Sequence, residues 1–172
     1  MTPFTMLVVA LEIVSVKAGS CGSSSGSEKK KNIHTTDIII ENNLPCAIFD
    51  TNATIRPIKL MIDTGSTMTI VASDVLKKGV INTRDRTSYG GLGTSTGINT
   101  LGVAWVALPF TGEVNVTIDA RMNLVDRKFT HEWDGILGAD VMLHYRLVLD
   151  IPTQKLIYNT KNNSNLLNAL CK

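Results

Sequence analysis

Aromatic residues are scarce: four Phe, three Tyr and two Trp in 172 residues. A large aromatic core is excluded, and the apolar content falls to Val, Ile and Leu, which suit strands packed on strands. Cysteine is scarcer still. Cys21, Cys46 and Cys171 are odd in number and widely spaced, so they spell neither a disulfide framework nor a metal-ligand spacing. Unpaired thiols in a reducing compartment fit them. Neither sign of charge is in excess: 17 Lys and Arg against 15 Asp and Glu leave +2. That balance points to no nucleic acid and no membrane as partner, and the one basic run, Lys29-Lys30-Lys31, reads as solvated linker. His34, His131 and His144 are dispersed, so Cys–His catalysis and a metal site find no support. No Gly-Lys-Ser/Thr follows a glycine-rich stretch to cradle phosphate. No metal and no cofactor is expected.

Long apolar runs are also missing. Residues 6–16 are apolar except for Glu12, too short and too interrupted to span a bilayer. With Val16-Lys17-Ala18 behind it, the run loosely resembles a secretory signal, but no Lys or Arg precedes it. A cytoplasmic location is therefore favoured over export. The glycosylation sequons at Asn52, Asn115 and Asn162 matter only for an exported chain.

What is present is a strand pattern. Residues 1–32 form an N-terminal tail and a Gly/Ser/Lys linker, residues 33–160 the folded domain, and residues 161–172 a polar C-terminal tail. Residues 38–40 and 46–49 are short apolar runs around the turn-like Asn42-Asn43. Ile58, Leu60 and Ile62 alternate, as do Leu101, Val103, Trp105 and Ala107. The clearest alternation joins Val114, Val116, Ile118, Ala120, Met122 and Leu124, after a turn at Thr111-Gly112. Leu147 to Ile151 and Lys155 to Tyr158 form a hairpin about Pro152-Thr153-Gln154. Two short helices are predicted, over residues 73–78 and 139–144, the first capped by Ser73 or Asp74 and ended by Gly79.

Chemistry concentrates in Leu60-Met61-Ile62-Asp63-Thr64-Gly65-Ser66, followed by Ile70-Val71. A buried strand delivers a carboxylate into a tight turn. Such a carboxylate is costly unless it is hydrogen-bonded or neutralised. Gly65 lets the backbone turn and bring an N–H to it, and Thr64 and Ser66 offer hydroxyls. Alone, Asp-Thr-Gly also serves as an Asx-turn between strands. The apolar flanks and a second motif, Trp133-Asp134-Gly135-Ile136-Leu137-Gly138-Ala139-Asp140, change that reading.

In this order the motifs resemble the retropepsin family, the single-domain aspartic proteases of retroviruses, retrotransposons and some cellular proteins. The matching positions are Met61-Ile62-Asp63-Thr64-Gly65-Ser66, then a glycine-rich flap at Tyr89-Gly90-Gly91-Leu92-Gly93-Thr94, then Ile136-Leu137-Gly138. The resemblance spans roughly residues 35 to 158 and is closer to retrotransposon and cellular relatives than to compact retroviral enzymes. It implies an all-β, small, closed-barrel-like acid-protease protomer with one short C-terminal helix, acting as a homodimer. Asp63 from each copy would form the catalytic dyad. Thr64, Gly65 and Ser66 would support it, and Gly90, Gly91, Leu92 and Gly93 would cover a polypeptide substrate, with a retroelement polyprotein as one substrate class.

Asp134, Asp140 and Asp150 lack a matching setting, and structural roles are expected for the first two. Two departures bear on assembly. Thr67 stands where many retroviral members carry an acid, and Ala139 where an Arg often follows Ile-Leu-Gly. Loss of both is consistent with loss of an ion pair. A degenerate copy of the fold, kept for dimerisation or protein binding, is the rival reading.

Overall fold

The computed structural model describes residues 32–85, 88–89, 98–127, 130 and 132–161. All of the predicted tails but Asn32 and Lys161 lies outside these residues, as do the tip of the predicted flap, Cys21 and Cys171; Cys46 is buried and unpaired.

The described residues open with a hairpin, β1 (Ile33–Glu41) and β2 (Leu44–Phe49). Its turn is Asn42-Asn43, with φ of 51° and 64°. Both residues occupy the left-handed region that a two-residue hairpin needs and that Asn tolerates best after Gly. β3 (Ile58–Ile62) pairs antiparallel with β2 and buries Ile58, Leu60 and Ile62 on the core side. β4 (Ile70–Ala72) leaves the Asp63 turn. The two short strands β5 (Ile81–Asn82) and β6 (Ser88–Tyr89) precede β7 (Ile98–Asn99). A long hairpin then joins β8 (Gly102–Phe110) to β9 (Val116–Val125). β10 (Gly135–Leu137), helix α1 (Ala139–His144), β11 (Val148–Asp150) and β12 (Lys155–Asn159) complete the described elements.

Ten strands form one sheet in the order β11-β12-β1-β2-β3-β10-β4-β9-β8-β5. β10 is the organising element. It lies parallel to β3 on one side and antiparallel to β4 on the other, so the strands entering and leaving the Asp63 turn are separated by a third strand from far along the sequence. β4 in turn pairs parallel with β9. The core fills the inside of this curved sheet, led by Phe49, Phe110, Ile58, Leu60, Leu108, Ile118, Met122, Leu124, Leu137 and Leu156.

Four expectations are corrected. The sheet is mostly β as expected but is not closed: β11 and β5 are its two ends, and a single bridge between Thr35 and Thr111 ties β1 to the far end of β8. The helix expected over residues 73–78 is instead two 3-10 turns, Ser73–Val75 and Lys78–Val80, with Leu76 extended between them. Neither Ser73 nor Asp74 caps the first turn, because Ala72 stands at its N-cap, and Gly79 lies inside the second turn. On β8 the buried set is Ala104, Val106, Leu108 and Phe110 together with Val103 of the expected set, while Trp105 is 64% exposed. Alternation was legible there, but a strand with small or apolar residues on both faces does not reveal which face is dry. β9 starts at Val116, and Val114 is exposed in the loop before it.

Candidate active site

Asp63 follows the last residue of β3, and its own N–H donates to the Leu137 carbonyl of β10 at 3.1 Å. The turn closes on itself. Gly65 N–H donates to Asp63 Oδ1 at 2.9 Å, and Ser66 N–H donates to the Asp63 carbonyl at 3.1 Å. Thus Asp63, Gly65 and Ser66 come together as one unit, while Thr64 sits exposed at the tip. Asp63 is only partly buried, and Oδ1 has a backbone donor while the group still faces water.

Beneath the turn, a second layer of hydrogen bonds fixes its frame. Thr69 is fully buried. Its hydroxyl donates to Asp140 Oδ1 at 2.7 Å and accepts from Gly138 N–H at 3.0 Å, while its N–H donates to Asp140 Oδ2 at 3.0 Å. The Thr69 carbonyl accepts from the backbone and side-chain amides of Asn123, at 2.9 and 3.1 Å. Ala139 N–H donates to the Ser66 carbonyl at 2.7 Å, and the Ser66 hydroxyl donates to the Met68 carbonyl at 2.8 Å. The turn is therefore stapled to the start of α1 through Asp140 and backbone groups, in a chain with Thr67 and Ala139 where an ion pair is absent.

Close approach makes Gly138 obligatory in this frame. A Cβ there would meet the Met68 backbone carbon and oxygen at 2.4 Å. Gly138→Ala is expected to lower stability by about 1–3 kcal/mol, the usual cost of overpacking, read as a lower urea midpoint. A midpoint unchanged from wild type would mean that the 66–69 segment is not held against Gly138.

At the opposite end of β3 and β10 lies a charge cluster. Asp134 is 4% exposed. Its carboxylate accepts from Arg56 through two nitrogens, at 2.6 and 2.8 Å, from Arg127 at 2.8 Å and from Lys59 N–H at 2.9 Å. Arg127 continues to Asp74 at 2.9 Å. Burial pushes the Asp134 carboxyl up, but the Arg56 guanidinium, the Lys59 N–H and Arg127 together outweigh it and hold the group at about 2. Asp134 N–H donates to the Lys59 carbonyl and its carbonyl accepts from Ala72 N–H, both at 2.8 Å, so the cluster pins β10 between its neighbours. Asp134 and Asp140 are both fully engaged in structure, as their sequence settings suggested.

Sequence reasoning missed Thr69, Arg56 and Arg127. Thr69 left one signal, a hydroxyl inside the apolar run from Met68 to Val71. Arg56 left none, because Asp134 is 78 residues away, and Arg127, only seven residues from Asp134, sits in no motif that marks it as a partner. Gly90, Gly91, Leu92 and Gly93 lie outside the described residues. The strands on either side of them, β6 and β7, pair antiparallel as a separate two-stranded sheet, Ser88 opposite Asn99 and Tyr89 opposite Ile98. Among the described residues no group of three His, Cys, Asp or Glu side chains is placed to hold a metal, and no helix is long and apolar enough to cross a membrane.

No protein-family model and no curated protein sequence matches the chain. Among solved structures it is similar to the retroviral protease-like domain of Ddi1 from Leishmania major, at 13% identity and a TM-score of 0.43, over 68% of this chain and 96% of that one. It is also similar to a retropepsin-like aspartic protease from Rickettsia conorii, at 13% identity and a TM-score of 0.41, over 74% of this chain and 91% of that one.

Proposed function

We propose that the chain is an aspartic endopeptidase that works as a homodimer, each copy supplying Asp63. One observation carries the reading: Asp63 ends a buried strand in a turn whose Gly65 N–H holds one carboxylate oxygen, while the group still faces water. Aspartic proteolysis needs two carboxylates that share a proton, since two like charges about 3 Å apart do not both ionise. The ionised member takes a proton from water, and the protonated member polarises the peptide carbonyl. Asp134 and Asp140 are committed to Arg56, Arg127 and Thr69, so neither supplies the second carboxylate. A second copy related by a two-fold axis does, and that is the commonest symmetry of soluble oligomers.

The strand order bears on how copies meet. β12 is already bonded on both sides within the protomer, to β1 and to β11. On this reading the copies meet on the exposed Thr64–Thr67 side of the turn and on the outer edge of β11, which no strand covers among the described residues. Analytical ultracentrifugation at micromolar concentration is expected to give a dimer, and proteolysis is expected to rise and fall with it on dilution. Full proteolytic activity from a strictly monomeric species would sink the dyad. Failure of the assembled chain to cut any member of a peptide library at mildly acidic pH would leave the dimerising or protein-binding reading in its place.

A further inference from the structure

Among the described residues, the outer edge of β8 is unpaired along its middle. β5 covers it only at Val103 and Ala104. β1 reaches it again only at Thr111, where Thr35 and Thr111 exchange N–H···O bonds of 2.7 and 2.9 Å. Among the described residues no strand covers the stretch between. Along a strand, alternate residues direct both backbone groups to the same edge. Thr111 directs its pair toward β1 and away from β9, so Pro109, Ala107 and Trp105 do the same. Proline has no N–H. The open edge therefore offers donors at Trp105 and Ala107 and carbonyls at all three positions.

These three residues form one wall of an open groove of about 450 Å³. Residues 50–53 and Val80 face them, and Thr117 and Asp119 of β9 lie alongside. Trp105 is a large aromatic turned to water on a strand whose other face fills the core, so core packing does not account for it. Two exposed carboxylates, Asp50 and Asp119, line the groove, and no cation does. Two neighbouring cations are engaged elsewhere. Arg121, opposite Trp105, donates to Asn123 Oδ1 at 3.3 Å, away from Asp119, and Lys77 donates to the Asn52 carbonyl at 2.8 Å.

We propose that this groove docks an extended polypeptide segment, added to β8 as a further strand, with a basic side chain beside Asp50 and Asp119. Backbone pairing with Trp105 and Ala107 supplies general affinity, as in other cases of strand addition. The missing N–H of Pro109 limits the register, and the acidic pair and the Trp105 ring select a cation. None of the lining residues belongs to the Asp63 turn or its supports. Docking is thus separate from the chemistry proposed for Asp63, and an active protease would use it as a second hold on a polypeptide substrate.

The test is an NMR titration of the ¹⁵N-labelled full chain, with Asp63→Asn run in parallel so that cleavage of the probe plays no part. The probe is the peptide acetyl-Val-Lys-Val-Lys-Val-amide. Amide shifts are expected at Trp105, at Ala107 and in residues 50–53. Affinity should fall about tenfold or more when Glu replaces Lys in the probe, and again when every peptide nitrogen is methylated. Asp50→Asn with Asp119→Asn should remove most of the preference for Lys over Glu, and Trp105→Ala should weaken the Lys peptide. Equal binding of the Lys and Glu peptides, shifts centred on Asp63 instead, or no shifts at millimolar peptide would each overturn the proposal.

Discussion

Replacing Asp63 with Asn should abolish peptide cleavage while leaving the fold and the assembly in place. Asn keeps the shape of the side chain and still accepts the Gly65 N–H bond that the carboxylate takes at 2.9 Å. What it removes is the group that gains and loses a proton. General base and general acid roles disappear together, so the loss should be on the order of 10⁴-fold or more. The wild-type rate should be bell-shaped in pH, because the fully ionised and the fully protonated pairs are both inactive, and the two limbs belong to the pair and not to one subunit. A peptide mimic with a hydroxyl at the scissile carbon should bind wild type far more tightly than the Asn variant. Cleavage by Asp63→Asn at the wild-type rate would remove Asp63 from the chemistry.

The second large effect is on stability and falls on Asp134. Its carboxylate is nearly buried and takes four hydrogen bonds from Arg56, Arg127 and Lys59. Removing it leaves the Lys59 N–H and two partly exposed guanidinium groups without their acceptor, at about 1–3 kcal/mol once water reaches the arginines. Asp134→Ala should lower the urea unfolding free energy by that amount at neutral pH. The pH dependence has a definite sign. The folded-state value of about 2 lies below the ordinary 3.8, so the stabilisation is fully present above about pH 4 and is lost as pH falls toward 2. At about 1.4 kcal/mol for each tenfold change in acidity, it comes to roughly 2 kcal/mol. Wild type should therefore weaken over that window by more than the Ala variant does. Parallel acid profiles, or a variant within about 0.5 kcal/mol of wild type, would mean that solvent screening of the half-exposed Arg56 cancels the cluster.

Much of the β framework could be read from residues alone. The Asn42-Asn43 hairpin, the dry face of β9 and the strand before Asp63 each follow from a local pattern, and each appears at or near its expected place. Local patterns failed where burial was two-sided or where partners were remote. On β8 Val103 is buried as its alternation suggests, but Trp105 and Ala107 of the same set are exposed and Ala104, Val106 and Leu108 are buried, since apolar side chains stand on both faces. Residues 73–78 carry helix-compatible side chains, yet the chain spends them on two tight turns that bring Ile55 and Ala53 onto Val75 and Lys77. The Asp63 turn was legible as a motif. Its support by Thr69 and Asp140 was not, because the two residues meet only once β10 has placed α1 under the turn.

The position of β10 has a consequence for how the chain is made. β3 and β4 are neighbours in sequence but not in the sheet, and the place between them belongs to a strand synthesised much later. On the ribosome the Asp63 turn therefore emerges without the carbonyl of Leu137 or the carboxylate of Asp140 to hold it. β1 waits longer still, since its outer edge pairs with β12 and the Asp37–Lys155 contact spans 118 residues. Pairings so distant in sequence close slowly. A nascent or truncated chain that stops before Gly135 holds every residue of the Asp-Thr-Gly motif but lacks the strand that frames it. The hydrogen-bonded frame of the Asp63 turn is thus complete only once nearly the whole domain has left the exit tunnel.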